Sequence, residues 1–416
     1  MPPQNGYLAC PNKVINIQLK DSSEKKYQCL RLIFEGTNQF LDIPLVWLRD
    51  HCRSRRYYDW ETNLRKLRMP HIFEKSKLTS FNFDEEKQNL HIQWEDGHES
   101  DFKIKDILDW SIAKDSHVVP YTLWDRETLK EIPKLSSKNF NFTEFAQLFI
   151  RFGLVMVTDV DSTDEVATKT ICEKIANIHS TFWGEFFVVS ADEDDQQKKM
   201  EMQVAKDDTA YKNVELGLHT DGMYFDQCPG IQVFHCLRQA PIGGESILVD
   251  GFSVAEKFKK SYPEYFKILQ TTPIEHRYFE GYDIEDKIID SAPLKLYARC
   301  VEPIINCDGD KFVQIRYKPY NRAPFRNLKI GEENTTIETI KFYEALEKFA
   351  ELMDAPENEL KFLLEPGTVL FFDNFRLLHA RTEFQGSRKL LACYLSRDTF
   401  LSKARPVLGE NLCYSI

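Results

Sequence analysis

The sequence predicts a mainly β protein with flanking helices: a small β-rich N-terminal domain with its linker over residues 1–125, then a double-sheet jelly roll over 126–416. Three observations predict it. Short β-like runs separated by turns fill residues 26–110, a mostly-strand pattern runs from Phe186 to Phe400, and the strand–helix–strand alternation of a parallel α/β sheet is missing. At 416 residues the chain can bury one large core and a second, smaller one.

The N-terminal runs are Gln28–Glu35, Leu41–Leu48, Leu78–Phe83, Asn89–Trp94 and Asp101–Ile104. From Ile107 to Ser137, with Pro120 and Pro133, apolar periodicity is weak, as expected of a connection between domains. Phe145, Leu148, Phe149 and Phe152 then sit at helical spacing, and Gly153 supplies a left-handed stop before the strand Leu154–Val157. Thr163 is placed to cap an amphipathic helix reaching about His179. Beyond Phe186 strands dominate, interrupted by helices near Val254–Ile268 and Ile337–Met353 that are expected to pack on one face of the sandwich. The acidic stretch Ala191–Lys199 reads as a surface loop placed to cover a site.

Composition excludes several classes of function. A net charge of −11 argues against a phosphate-binding surface, so no nucleic-acid partner is expected and a cationic or small polar ligand fits better. The basic cluster Arg49–Arg56 reads as a solvated patch beside a turn. No apolar run approaches the length of a membrane-spanning helix, so no membrane partner is expected either. Ten cysteines without a C-x-x-C pair read as reduced thiols, and residues 1–25 show neither a secretory core nor arginine. The cytoplasm is the expected location, with the mitochondrion second.

The chemistry is concentrated in two stretches. His219-Thr220-Asp221 puts an imidazole and a carboxylate two residues apart, and on an extended strand both would face one way and share one metal. The third ligand is expected from His379, which closes the run Gly367–His379 after the turn at Pro366-Gly367. Two imidazoles and a carboxylate leave open positions on an iron(II) ion. Arg388, nine residues beyond His379, would supply the guanidinium fork that the distal carboxylate of an oxo-acid needs. His51 and His235 read as turn or core histidines bonded to backbone.

The segments Leu216–Asp221, Pro229–Cys236, Gly243–Phe252 and Phe372–His379, with Val46–Asp50 near the start, resemble the carnitine-biosynthesis dioxygenases, the family of trimethyllysine dioxygenase and γ-butyrobetaine dioxygenase. The likeness covers nearly the whole chain. It implies a double-stranded β-helix catalytic domain, Fe(II), 2-oxoglutarate as cosubstrate, O2, L-ascorbate and a homodimer. It implies His219, Asp221 and His379 as iron ligands and Arg388 as cosubstrate anchor. The family's aromatic cage for a trimethylammonium group falls on Trp183, Phe187, Tyr211 and Tyr394, the first two being different aromatics from the family's usual tyrosine and tryptophan.

Asp208, three residues before Tyr211, would pair with the α-ammonium of N6,N6,N6-trimethyl-L-lysine, so 3-hydroxylation of that substrate is the expected reaction. Gly217-Leu218-His219 and Gly244-Glu245-Ser246 read more like the γ-butyrobetaine enzymes, which keeps that substrate as the alternative; a non-catalytic sensor of quaternary amines is the rival of a different class. Two departures stand out. The family's zinc-binding cysteine cluster retains only Cys52 and a later His98, so structural zinc is not expected. Lys318-Pro319 stands where the family shows two asparagines, and Lys318 would meet a substrate carboxylate as a point charge.

Overall fold

The computed structural model describes residues 13–21, 27–36, 38–112, 121–190, 212–282, 287–290, 292 and 294–408. The chain divides into two compact units, Met1–Asp115 and Ser116–Ile416. The stretch Ala191–Lys199, read above as a covering loop, lies outside the described residues.

The first unit holds two three-stranded antiparallel sheets. One is β1 (Val14–Asp21), β2 (Gln28–Phe34) and β3 (Phe40–Pro44); the other is β4 (Leu78–Asp84), β5 (Asn89–Trp94) and β6 (Glu99–Lys103). Alternating residues such as Leu30 and Leu32, and Leu90, Ile92 and Trp94, form one apolar core. The expected strand Leu41–Leu48 ends at Pro44, and Leu45–Asp50 is a helix, α1. Its buried Leu45 and Leu48 are one turn apart, a spacing that buries both on a helix and would put them on opposite faces of a strand. Arg49 is not part of a solvated patch. Its guanidinium is fully buried over Trp94 and Tyr57, and Nη2 donates to Asp96 at 2.6 Å and to the Tyr57 hydroxyl at 2.9 Å.

The second unit is a sandwich of two sheets. Seven of its strands come first along the chain: β7 (Lys134–Ser136), β8 (Leu154–Thr158), β9 (Phe186–Ser190), β10 (Leu216–His219), β11 (Ile231–Arg238), β12 (Ser246–Asp250) and β13 (Ile274–Glu280). They are followed by β14 (Leu296–Glu302), β15 (Glu359–Phe362), β16 (Val369–Asp373), β17 (Leu377–Arg381) and β18 (Lys389–Leu395). The larger sheet has the order β9-β18-β11-β16-β8-β7, antiparallel except where β8 and β7 run parallel. The smaller has the order β10-β17-β12-β15, antiparallel throughout.

Side-chain alternation sorts these strands into layers. Val155, Val157, Ile231, Val233, Val369 and Phe371 face helices α2 (Phe142–Phe152) and α3 (Glu165–Ile175), whereas Leu154, Met156, Leu370 and Phe372 face the interior with Leu248 and Leu377 of the smaller sheet. Ile247, Val249, Leu378 and Ala380 point the other way, onto α4 (Gly251–Ser261), α5 (Pro263–Thr271) and α6 (Glu333–Met353). Helices therefore cover both outer faces, not one. The helix expected over Val254–Ile268 is two, because Pro263 lacks the N–H that would continue the first and instead opens the second.

Local signals hold where the chain is its own partner. Asn141 caps α2 through Oδ1, and Gly153 ends it at φ 79°. The cap of α3 is Asp164, not Thr163, whose N–H and hydroxyl are both taken by the Asp161 carboxylate. His51 donates Nδ1–H to the Trp47 carbonyl at 2.8 Å, as a turn histidine should, but His235 bonds a side chain, the Thr168 hydroxyl at 2.7 Å.

Two buried histidines make stability depend on pH. Burial pushes His235 down to about 4, and burial with Arg316, Arg322 and Lys318 pushes His276 down to about 3. Both folded-state values lie below the ordinary 6.5, so the unfolded chain binds the proton first. The stabilisation is complete above pH 6.5 and is lost as the pH falls from there through the folded values. Thermal melts should lose stability between pH 7 and pH 5 with a slope of up to about 1.4 kcal/mol per pH unit for each histidine. His276→Asn should flatten that slope; a melt independent of pH in this range would contradict it.

Candidate metal centre

Two strands bring the histidines together. In the antiparallel pair β10 and β17, His219 stands directly opposite His379, with ring centroids 4.1 Å apart. His219 Nδ1–H donates to the Gly217 carbonyl at 2.9 Å, which turns its Nε2 lone pair inward. Gly217 is glycine because the Tyr320 hydroxyl receives its N–H at 2.8 Å and would meet an added Cβ at the same distance.

Asp221 reaches the site differently from the expectation of one continuous strand. β10 stops at His219, and Asp221 lies in the turn that follows. Asn374 holds that turn: its Oδ1 accepts the Asp221 N–H at 2.8 Å and its amide donates to the Asp221 carbonyl at 2.9 Å. Thr220 is meanwhile tied to Tyr317, its N–H donating to the Tyr317 carbonyl at 2.7 Å. Asp221 Oδ1 then lies 3.5 Å from His219 Nε2, and Oδ2 lies 3.7 Å from His379 Nε2. Among the described residues these are the three side chains whose ligand atoms converge for a metal ion, all within 4.8 Å of one another.

The protonation states suit a cation. Burial alone would raise the Asp221 carboxyl, but Lys318 and the two imidazoles outweigh it and hold the group well below the ordinary carboxylate value. Burial first, then His219, pushes His379 well below the ordinary histidine value and keeps its ring neutral. A carboxylate and two inward imidazole nitrogens are the donor set that iron(II) takes with open positions left over. Lys318 is the surprise: its Nζ bonds Asp221 Oδ1 at 2.7 Å, so its charge is directed at the carboxylate of this cluster.

The cluster opens into a cavity of about 680 Å³. Arg388 lines it from just before β18, only 7% exposed, and among the described residues no carboxylate pairs with it. Burial, then Arg381, lowers Arg388 to about 10, which leaves it cationic at neutral pH. A buried guanidinium facing a cavity without a carboxylate partner is a site for an anion. Trp183, Phe187 and Tyr394 also line the cavity; Phe187 and Tyr394 stand 5.4 Å apart, and the Tyr394 hydroxyl is 3.4 Å from Asp221 Oδ2. Asp208 and Tyr211 lie outside the described residues.

Sequence reasoning quoted Asn374 within a motif and gave it no role; it also passed over Tyr278, Glu280 and Arg381, which line the cavity. Asn374→Ala removes the clamp but no ligand. It should weaken manganese(II) or iron(II) binding roughly ten- to a hundredfold, read by titration, and also lower the melting temperature, because a fully buried amide with three hydrogen bonds is lost. Unchanged metal affinity would show that the turn holds itself.

Residues 118–394 match the family described as "Taurine catabolism dioxygenase TauD, TfdA family", and residues 17–107 match "Gamma-butyrobetaine hydroxylase-like, N-terminal". The mitochondrial trimethyllysine dioxygenase of Gallus gallus is 33% identical over 87% of this chain and 82% of its own. That of Homo sapiens is 31% identical over 93% and 86%, and the γ-butyrobetaine dioxygenase of Pongo abelii is 27% identical over 87% and 90%. With a convergent His-Asp-His cluster inside a jelly roll, and relatives matched over most of both chains, the protein belongs to the carnitine-biosynthesis dioxygenases of the TauD, TfdA family, the iron(II)/2-oxoglutarate-dependent enzymes.

Proposed function

We propose that this protein hydroxylates N6,N6,N6-trimethyl-L-lysine at C3, with iron(II) held by His219, Asp221 and His379 and 2-oxoglutarate anchored by Arg388. The observation that carries the reading is the buried guanidinium of Arg388, paired with no carboxylate among the described residues, lining the same cavity as the three candidate ligand side chains. Bound iron(II) with 2-oxoglutarate supplies oxygen activation and removal of a substrate hydrogen, with succinate and carbon dioxide as co-products; ascorbate serves as reductant.

The chain's own part is positioning. Arg388 receives the far carboxylate of the cosubstrate in a bidentate fork. Phe187, Tyr394 and Trp183 offer aromatic faces to a trimethylammonium group, which has no hydrogen to donate, each worth about 0.5–2 kcal/mol. By the family resemblance, Asp208 is assigned to the α-ammonium and Tyr211 to the aromatic set; both lie outside the described residues. Trimethyllysine is favoured because identity is 33% and 31% to the two trimethyllysine dioxygenases against 27% to the γ-butyrobetaine dioxygenase. Mass spectrometry of both substrates side by side should show a 16-dalton gain on trimethyllysine, and His379→Ala should abolish substrate-dependent succinate. Turnover of γ-butyrobetaine alone would reassign the substrate; succinate unaffected by His379→Ala would end the ligand assignment.

The N-terminal unit is proposed to fold without zinc. His98 Nε2 lies 3.3 Å from Cys52 Sγ and 3.3 Å from Ser54 Oγ, and Ser100 Oγ lies 3.1 Å from the same sulfur. Hydroxyl groups stand where thiolates would complete a four-ligand site, and they are not structural zinc ligands in proteins. Metal analysis of the purified protein should find no stoichiometric zinc, and chelation should leave the melting of this unit unchanged. The trimethyllysine dioxygenases of Gallus gallus and Homo sapiens are named as mitochondrial. Imaging of the full-length protein decides between that location and the cytoplasm.

A further inference from the structure

The cavity has a second aromatic wall that the ligand cluster does not use. Its centre is Tyr278, near the end of β13, whose ring lies 5.2 Å from Trp183, 5.1 Å from Tyr224 and 5.3 Å from Phe182. The Tyr278 hydroxyl donates to Glu280 Oε1. Two residues apart on a strand, Tyr278 and Glu280 share one face, and both line the cavity.

Charge is distributed unevenly over the lining. Lys318 is bonded to Asp221, and Arg381 is close enough to Arg388 to lower it. Among the described lining residues, Glu280 is the one carboxylate outside the ligand cluster, and its hydrogen bond ties it to the aromatic wall. With the lysine paired to Asp221, a molecule with a cation at one end is repelled by the two arginines and attracted by Glu280. Aromatic quadrupoles and a fixed anion act together on a cation that lacks hydrogen-bond donors, and the anion's contribution grows as water is excluded.

We propose that Glu280, aimed by Tyr278, is a specificity-determining residue that supplies the counter-charge for the quaternary ammonium end of the substrate. This rests on the function proposed above and deepens it: the receptor for that end is an aromatic wall with a carboxylate in it, not an aromatic cage alone. Glu280 selects charge, and Trp183 and Tyr278 select shape.

The test compares trimethyllysine with its neutral isostere, in which a carbon replaces the quaternary nitrogen, in the iron- and 2-oxoglutarate-loaded enzyme. Glu280→Gln should raise KM for trimethyllysine on the order of tenfold or more, the scale of one partly desolvated charge pair. Its kcat, its KM for 2-oxoglutarate, its melting temperature and its affinity for the isostere should stay near wild type. Tyr278→Phe keeps the ring and loses the hydroxyl that aims Glu280, so it should shift the same ratio in the same direction by less. An equal loss of affinity for cation and isostere would mean a structural role, and no loss for either would mean no role; both overturn the inference. Wild-type turnover tests the proposed function separately. If γ-butyrobetaine proves to be the substrate, the same ratio is measured with it and its isostere, since it carries the same quaternary group.

Discussion

The register between β10 and β17 is the constraint on which the centre depends. His219 and His379 are cross-strand partners, so their separation is set by the sheet rather than by the metal they would share. The neighbours of His379, Leu378 and Ala380, pack outward against the helical layer. A slip of one residue would bury the imidazole in that apolar layer, so core packing and the placement of the histidines enforce the same register. Asp221 is the exception, since it lies past the end of its strand and depends on Asn374 across the sandwich.

The density of the Phe372–His379 motif follows from this. Asp373 receives Arg397 at 2.6 Å, Asn374 holds the Asp221 turn, and Arg376 makes a two-point contact with Asp250 at 3.0 and 2.6 Å. The Arg376–Asp250 pair is almost wholly out of water, and the Arg151 and Thr122 carbonyls take further guanidinium hydrogens. Such a pair stabilises little against an apolar replacement, but losing one partner strands the other charge at a cost of about 3–5 kcal/mol. Its effect is to join β12 to the turn before β17, the turn that also carries Asn374.

Electrostatics then divide the cavity by task. The Asp221 carboxylate is kept ionised by Lys318 and the imidazoles, Arg388 keeps its charge despite burial, and Glu280 stands with the aromatic rings. Anion, metal and organic cation are the three kinds of guest such a layout can take together. Lys318 is bonded to the Asp221 carboxylate, so its charge bears on the proposed metal side of the site as well as on whatever the cavity holds.

The sequence by itself determined the features that neighbouring residues enforce on one another. Alternation marked strands such as Asn89–Trp94, Asn141 and Gly153 marked the ends of a helix, and motif spacing named His219, Asp221, His379 and Arg388. It misread Leu45–Leu48, Thr163 and Arg49, where Pro44, Asp161 and Asp96 respectively changed the outcome. Tertiary structure alone decided what stands across from what. His219 opposite His379, Asn374 on Asp221, Lys318 on the same carboxylate and Tyr278 against Trp183 join residues about 100 to 160 positions apart where they involve the ligands, and nearly 100 apart at the aromatic wall. No local periodicity encodes such pairings, because they are fixed by sheet order and by the packing of two sheets face to face.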